Sequence, residues 1–272
     1  MWVRKLYFLL FLGVFAFLTS SCSKFRRIEK SEDWRVKYEA ALNYYDDKDY
    51  YHSALLFEQI RPIVRGLPEG EKVEFLLAYC QYYERTYLLA SAQFKTFYET
   101  YGRSNLAQEA HFMYAYSLYE ASPEYNLDQQ SSVEAMAAMQ TFLNQFPGSE
   151  FSERAAQVIV ECQKKLERKN YENAKLYLKL RSYKAAIIAF DTFRENFPDS
   201  NFLEEVAFLK VEAQFRLATQ SLPSLQKERY SVVLDFYKDL IDSYPNSEFL
   251  REAEKFYTES LSKVNKLKTD NS

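Results

Sequence analysis

Glycine is scarce in this chain, at five in 272 residues, against a typical share of about 7%. Glycine-rich phosphate loops and β-architectures that turn on glycine are therefore poorly supported. Three cysteines and two histidines leave little material for a metal centre. His52 and His111 have no partners at metal-like spacing and read as surface or packing residues. No Ser-His-Asp order, HExxH or Walker pattern occurs, so no active site and no cofactor are expected. An excess of positive charge is also missing. The formal net charge is −3, and losing Arg4 and Lys5 with the N-terminal segment described next takes it to −5. That mildly acidic balance gives no case for nucleic-acid binding.

What is present begins at the N-terminus. Arg4 and Lys5 precede an apolar run from Leu6 to Leu18, too short for a stable transmembrane helix and suited to the apolar region of a cleaved signal peptide. Thr19, Ser20 and Ser21 follow as small residues, and then Cys22. This order resembles the bacterial lipobox, with the leucine at Leu18, one place earlier than usual. The resemblance implies that residues 1–21 are a signal peptide and that the Cys22 thiol is acylated, which would hold the chain on a membrane. Ser23 follows Cys22 in place of the aspartate that retains enterobacterial lipoproteins in the inner membrane. No acidic run of the surface-export kind follows, since Lys24, Arg26 and Arg27 are basic. The expectation is an outer-membrane protein, lipid-anchored and facing the periplasm, with residues 22–31 as a basic tether. Cys80 and Cys162 fall in different repeats and read as small buried residues.

The most informative feature is an internal repeat. Phe146-Pro147-Gly148-Ser149-Glu150-Phe151 recurs at residues 197–202 and 244–249, and in weaker form at Tyr101–Leu106. The aromatic closes an amphipathic run, proline cannot continue the helix, and the serine oxygen can accept from the free N–H groups where the next helix begins. Upstream of each cassette one helical face repeats at steps of three and four: Tyr183, Ala186, Phe190, Phe193, Phe197; Tyr87, Ala90, Phe94, Phe97, Tyr101; Tyr230, Val233, Tyr237, Leu240, Tyr244. Ser132, Ala135, Met139, Phe142 and Phe146 keep that register, and Tyr50, Ser53, Phe57 and Ile60 form a copy without the proline.

Each of these helices is preceded by another helical stretch, such as Trp34–Asp47 with Ala41, or Asn170–Leu180 with Ala174. The pairing resembles the tetratricopeptide repeat. It implies an all-α solenoid of about five helix pairs over residues 32–268, with Glu248–Lys268 as a capping helix and 269–272 as a tail. The second helices start at 50, 87, 132, 183 and 230, wider than the standard period of about 34. Extra length is therefore expected in the loops at Ala121–Ser132 and Ser221–Ser224, and as a further helix over Ser152–Lys169.

Lipobox, tether, five repeats and their aromatic-Pro-x-Ser linkers together resemble the BamD lipoproteins of the outer-membrane β-barrel assembly machinery. This implies a non-catalytic scaffold that binds a BamA-like barrel protein and unfolded outer-membrane proteins. Because the chain would be tethered at Cys22, its C-terminal repeats, from Tyr183 on, are expected to dock the barrel protein. Two alternatives are a periplasmic envelope coordinator of the CpoB type and a glycan-binding lipoprotein of the SusD type. The chain lacks the coiled coil of the first and the length of the second. Paired aromatics, Tyr44-Tyr45, Tyr82-Tyr83 and Tyr114 with Tyr116, cannot both face one helix stripe. Tyr45, Tyr79, Tyr83 and Tyr116 are accordingly the candidate peptide-binding residues.

Overall fold

The computed structural model describes residues 24–269, so Cys22 and the segment before it lie outside the described residues. Among these are twelve helices and no strand. They are α1 (residues 24–29), α2 (Trp34–Asp46), α3 (Tyr50–Val64), α4 (Pro68–Tyr83), α5 (Tyr87–Thr100), α6 (Ala107–Glu120), α7 (Gln130–Gln145), α8 (Ser152–Lys179), α9 (Tyr183–Asn196), α10 (Leu203–Thr219), α11 (Pro223–Ser243) and α12 (Leu250–Thr269). Five pairs, α2–α3 to α10–α11, precede the final helix. The fold is all-α and tetratricopeptide-like, and α12 caps it by packing on α10 and α11.

Two compact units divide the chain. The first holds residues up to Pro123 and Asp128–Cys162; the second holds Glu124–Leu127 and everything from Gln163. Within the first, helices α2 to α7 pack each on the next, and within the second, α9 to α12 do the same. Each unit has its own apolar core. Phe94, Phe97, Met139 and Phe142 belong to the first, Phe190, Phe193, Val233 and Leu240 to the second.

The repeated register is the buried stripe of each second helix. Ser53, Phe57, Ile60, Ala90, Phe94, Ser132, Ala135, Met139, Phe142, Ala186, Phe190, Val233 and Leu240 are fully buried. Full burial of one such large side chain contributes roughly 1.5–3 kcal/mol. The buried Ser53 is satisfied because its Oγ donates to the Ala41 carbonyl at 2.9 Å. The closing aromatics Tyr101, Phe146, Phe197 and Tyr244 and the opening Tyr50 and Tyr87 are only partly buried, and so is Tyr237, which occupies the position of Phe94 and Phe190 and lies against Tyr257 at 4.6 Å.

The linker cassettes are nearly superposable in their hydrogen bonds. The closing aromatic donates its N–H to the residue four before it: Tyr101 to Phe97, Phe146 to Phe142, Phe197 to Phe193 and Tyr244 to Leu240, at 2.8–2.9 Å. Before proline, Phe146, Phe197 and Tyr244 adopt φ −131 to −136 and ψ 60 to 67, since the ring displaces the preceding residue from the helical region. The serine then accepts from the N–H two residues on, as Ser104 from Leu106, Ser149 from Phe151, Ser200 from Phe202 and Ser247 from Phe249. It secures the turn just ahead of the helix rather than the first helical turn itself.

Three loops within pairs obey a different rule. Lys48, Arg85 and Arg181 have φ of 60 to 63, the left-handed conformation that usually takes glycine. Around Lys48 the Asp49 N–H reaches the Tyr44 carbonyl and the Lys48 N–H reaches the Tyr45 carbonyl. Arg85 and Arg181 sit in the same Schellman-type pattern, with Thr86 N–H on Gln81 and Ser182 N–H on Tyr177. A chain this poor in glycine places long cations at these turns.

Three expectations are corrected. Ser152–Lys169 does not form an added helix: α8 runs unbroken for 28 residues, because no proline or glycine lies between Ser152 and Lys179 to end it. The insertion at Ser221–Ser224 is a loop only at Ser221 and Leu222, since Pro223 opens α11, where its missing N–H is no loss. The residues expected to tether are packed, with Phe25 and Ile28 seated on the core around α2 and α3.

Candidate functional site

The carboxyl-terminal turns of α2, α4 and α6 carry the tyrosines singled out above, all in the first unit. Tyr45 and Tyr83 lie 6.4 Å apart between ring centroids, edge to face, and Tyr83 stacks along Tyr79 at 5.8 Å. Tyr116 does not touch these three. Tyr82 bridges to it, 5.6 Å from Tyr83 and 6.3 Å from Tyr116. Such ring pairs contribute about 0.5–1.5 kcal/mol beyond their buried area. The result is a continuous ladder of phenols across the first three repeats.

The paired aromatics divide as helical geometry requires. Tyr45 joins the ladder, while Tyr44 faces Phe25 and His52. Tyr116 joins it, while Tyr114 lies against Tyr98 and under Lys95. Tyr82 and Tyr83 both stay in the ladder, next to different neighbours.

Three further tyrosines and two charges belong to the site without having been foreseen. Tyr50 stacks on Tyr83 at 4.3 Å and meets Tyr45 at 5.5 Å, and Tyr87 meets Tyr82 at the same 5.5 Å. Tyr119 lies 5.7 Å from Tyr116. The usable signal was the spacing: Tyr45 to Tyr50 and Tyr82 to Tyr87 are both five residues apart across a Schellman-type turn. Glu109 accepts a hydrogen bond from the Tyr79 hydroxyl. Arg154 donates to the Tyr116 hydroxyl at 3.3 Å and to Glu161 at 3.0 Å, and its guanidinium lies over the rings of Tyr116 and Tyr119.

The surroundings of Tyr45, Tyr79 and Tyr119 hold these three phenols neutral. Burial, and next the Tyr83 hydroxyl, raises the Tyr45 pKa well above the ordinary tyrosine value. Burial followed by the Glu109 hydrogen bond does the same for Tyr79. Tyr119 is pushed up to about 12 by burial and by Glu161. None of them can serve as a base near neutral pH. With Tyr83 45% exposed, the array offers aromatic faces and hydroxyls to a ligand. Among the described residues no group of histidine, cysteine, aspartate and glutamate could hold a metal ion. Cys80 and Cys162 are buried, and burial pushes the Cys80 thiol up to about 11, which keeps it inert.

The second unit presents a different surface. A groove of about 580 Å³ is lined by α8 and α10 and by the turn after α8, with Lys175, Lys179, Arg181 and Arg216 around Leu176 and Tyr183. Lys175 is held by Glu205 at 2.9 Å and Arg216 by Glu212 at 3.0 Å.

A family model described as YfiO, outer membrane lipoprotein, matches residues 31–229. The chain belongs to the YfiO family. This is the family of the BamD outer-membrane lipoproteins, and it carries the outer-membrane localisation and the link to the assembly machinery. A solved structure titled the apo form of RapI aligns over 96% of this chain and 98% of its own, at 18% identity and a TM-score of 0.37. No curated protein sequence matches. Among the described residues no helix is long and apolar enough to cross a membrane.

Proposed function

We propose that this YfiO-family protein is a non-catalytic scaffold anchored through acylated Cys22 on the periplasmic face of the outer membrane. It binds a BamA-like barrel protein through its C-terminal repeats and unfolded outer-membrane proteins along the tyrosine ladder. Family membership supports this reading over the envelope-coordinator and glycan-binding alternatives. The observation that carries the substrate role is the ladder, a run of partly exposed phenols on three successive repeats. Tyr79 and Tyr116 already commit their hydroxyls to Glu109 and Arg154 and their rings to Phe94 and Phe112, so Tyr83 offers the most exposed ring.

One docked aromatic of roughly 150–250 Å², at about 25 cal/mol/Å², gives only a few kcal/mol before ordering costs. Binding should therefore lie in the micromolar to millimolar range, as suits a step that releases its cargo. The test replaces Tyr45, Tyr83 and Tyr116 by alanine together and titrates a labelled peptide ending in phenylalanine. Tyr83→Ala alone, at an exposed position, guards against loss through misfolding. Lost affinity in both folded variants supports the ladder as the peptide site; unchanged affinity ends that reading. Anchorage is tested separately, since Cys22→Ser should leave the outer-membrane fraction. Deleting Ser247–Ser272 should weaken co-purification of the barrel protein.

A further inference from the structure

The segment that follows Cys22 is built as a small amphipathic helix. In α1, Phe25 and Ile28 stand three residues apart and so share a face. Phe25 packs on His52 at 4.2 Å and on Tyr44 at 5.8 Å, and Ile28 joins the same core. Lys24, Arg26, Arg27 and Lys30 are exposed. None of the four forms an ion pair among the described residues. Glu29 is the single acidic residue from 24 to 30. Tyr51, 58% exposed, lies beside His52 at 5.4 Å, the ring on which Phe25 docks. An exposed tyrosine there suits the water–lipid boundary, where such rings concentrate.

We infer that the cationic face of α1 is a second membrane contact, docking on the phosphate groups of anionic phospholipids in the membrane that holds Cys22. The placement rests on the proposed anchorage. Two peptide steps separate Cys22 from Lys24, which limits their Cα atoms to about 8 Å. An anchor at Cys22 therefore brings α1 to the headgroup layer whatever path those two residues take. Because Phe25 and Ile28 fix α1 to the first repeat, headgroup contact would orient the first unit rather than leave it swinging on a tether. One lipid anchor combined with a basic patch is a two-signal arrangement that strengthens membrane attachment.

Each cation near an anionic surface strengthens binding roughly fivefold, so removing three weakens it about 100-fold at low salt. The test uses residues 22–272 with Cys22→Ser, so that acylation plays no part. Vesicles of phosphatidylethanolamine with phosphatidylglycerol are compared with vesicles of phosphatidylcholine alone. The chain should float with the anionic vesicles, detach as salt rises, and lose about 100-fold in affinity as Lys24→Gln/Arg26→Gln/Arg27→Gln, with an unchanged thermal midpoint. Equal binding to both vesicle types, or an unaffected triple variant, overturns the inference. So does a triple variant that keeps its vesicle affinity but loses a co-purifying protein, since the face would then belong to that protein. If vesicle binding fails while the unmodified chain stays in the outer-membrane fraction and Cys22→Ser leaves it, only the α1 contact is refuted. Release of the unmodified chain refutes the anchorage reading itself.

Discussion

Phe94 and Phe190 occupy equivalent positions in the repeat, and both are fully buried. Phe94→Ala would remove a ring that meets Phe75 at 6.1 Å and the ladder residue Tyr79 at 5.0 Å. Truncation of a buried phenylalanine costs about 3–5 kcal/mol in lost transfer energy and cavity. With a urea m-value of about 1–3 kcal/mol per molar, the midpoint should fall by at least about 1 M. The chain has two tryptophans, Trp2 in the expected signal and Trp34 in α2, so mature protein reports through Trp34 alone. Its fluorescence should follow the Phe94→Ala transition in the first unit. Phe190→Ala, whose core lies in the second unit, is better read by far-ultraviolet circular dichroism, which sees every helix. A loss below about 1 kcal/mol in either variant would refute the shared register, because no exposed or loosely packed phenylalanine costs more. Loss of the Phe94 ring should also loosen Tyr79, so peptide affinity should fall in this variant and stay unchanged in Phe190→Ala.

Two further predictions follow from local geometry. Lys48→Gly and Arg85→Gly relieve a left-handed residue and should each raise stability by about 0.5–1 kcal/mol after the entropy of the unfolded glycine is counted; a lower thermal midpoint would contradict the turn assignment. His111 is 5% exposed, stacks on Tyr98 at 4.3 Å, and has its pKa lowered by burial. A lowered folded pKa means that the unfolded chain binds the proton first, so stability present above about 6.5 is lost as pH falls below it. His111→Gln should flatten that part of the urea-midpoint profile between about pH 7.5 and 5.5, and an unchanged slope would place the titration elsewhere.

The sequence by itself determined the five registers, the linker cassettes and the final helix. Each is a local property: an apolar stripe at the helical period, a proline that cannot continue a helix, and a serine just ahead of the next helix, although the N–H that this serine takes was set by the structure. It also separated Tyr114 from Tyr116, since residues two apart cannot share a helix face. Helix continuity in α8 was less legible, because the absence of a stop signal between two apparent helices is weaker information than a proline. The ladder's partners were decided only by tertiary structure. Glu109 reaches Tyr79 across 30 residues and Arg154 reaches Tyr116 across 38, and no spacing rule links residues that far apart, unlike the five-residue step across a single turn. Which ring meets which charge depends on how far each pair slides along its neighbour. That offset is set by the fit of buried phenylalanines and alanines between helices, which the periodicity of one helix does not contain.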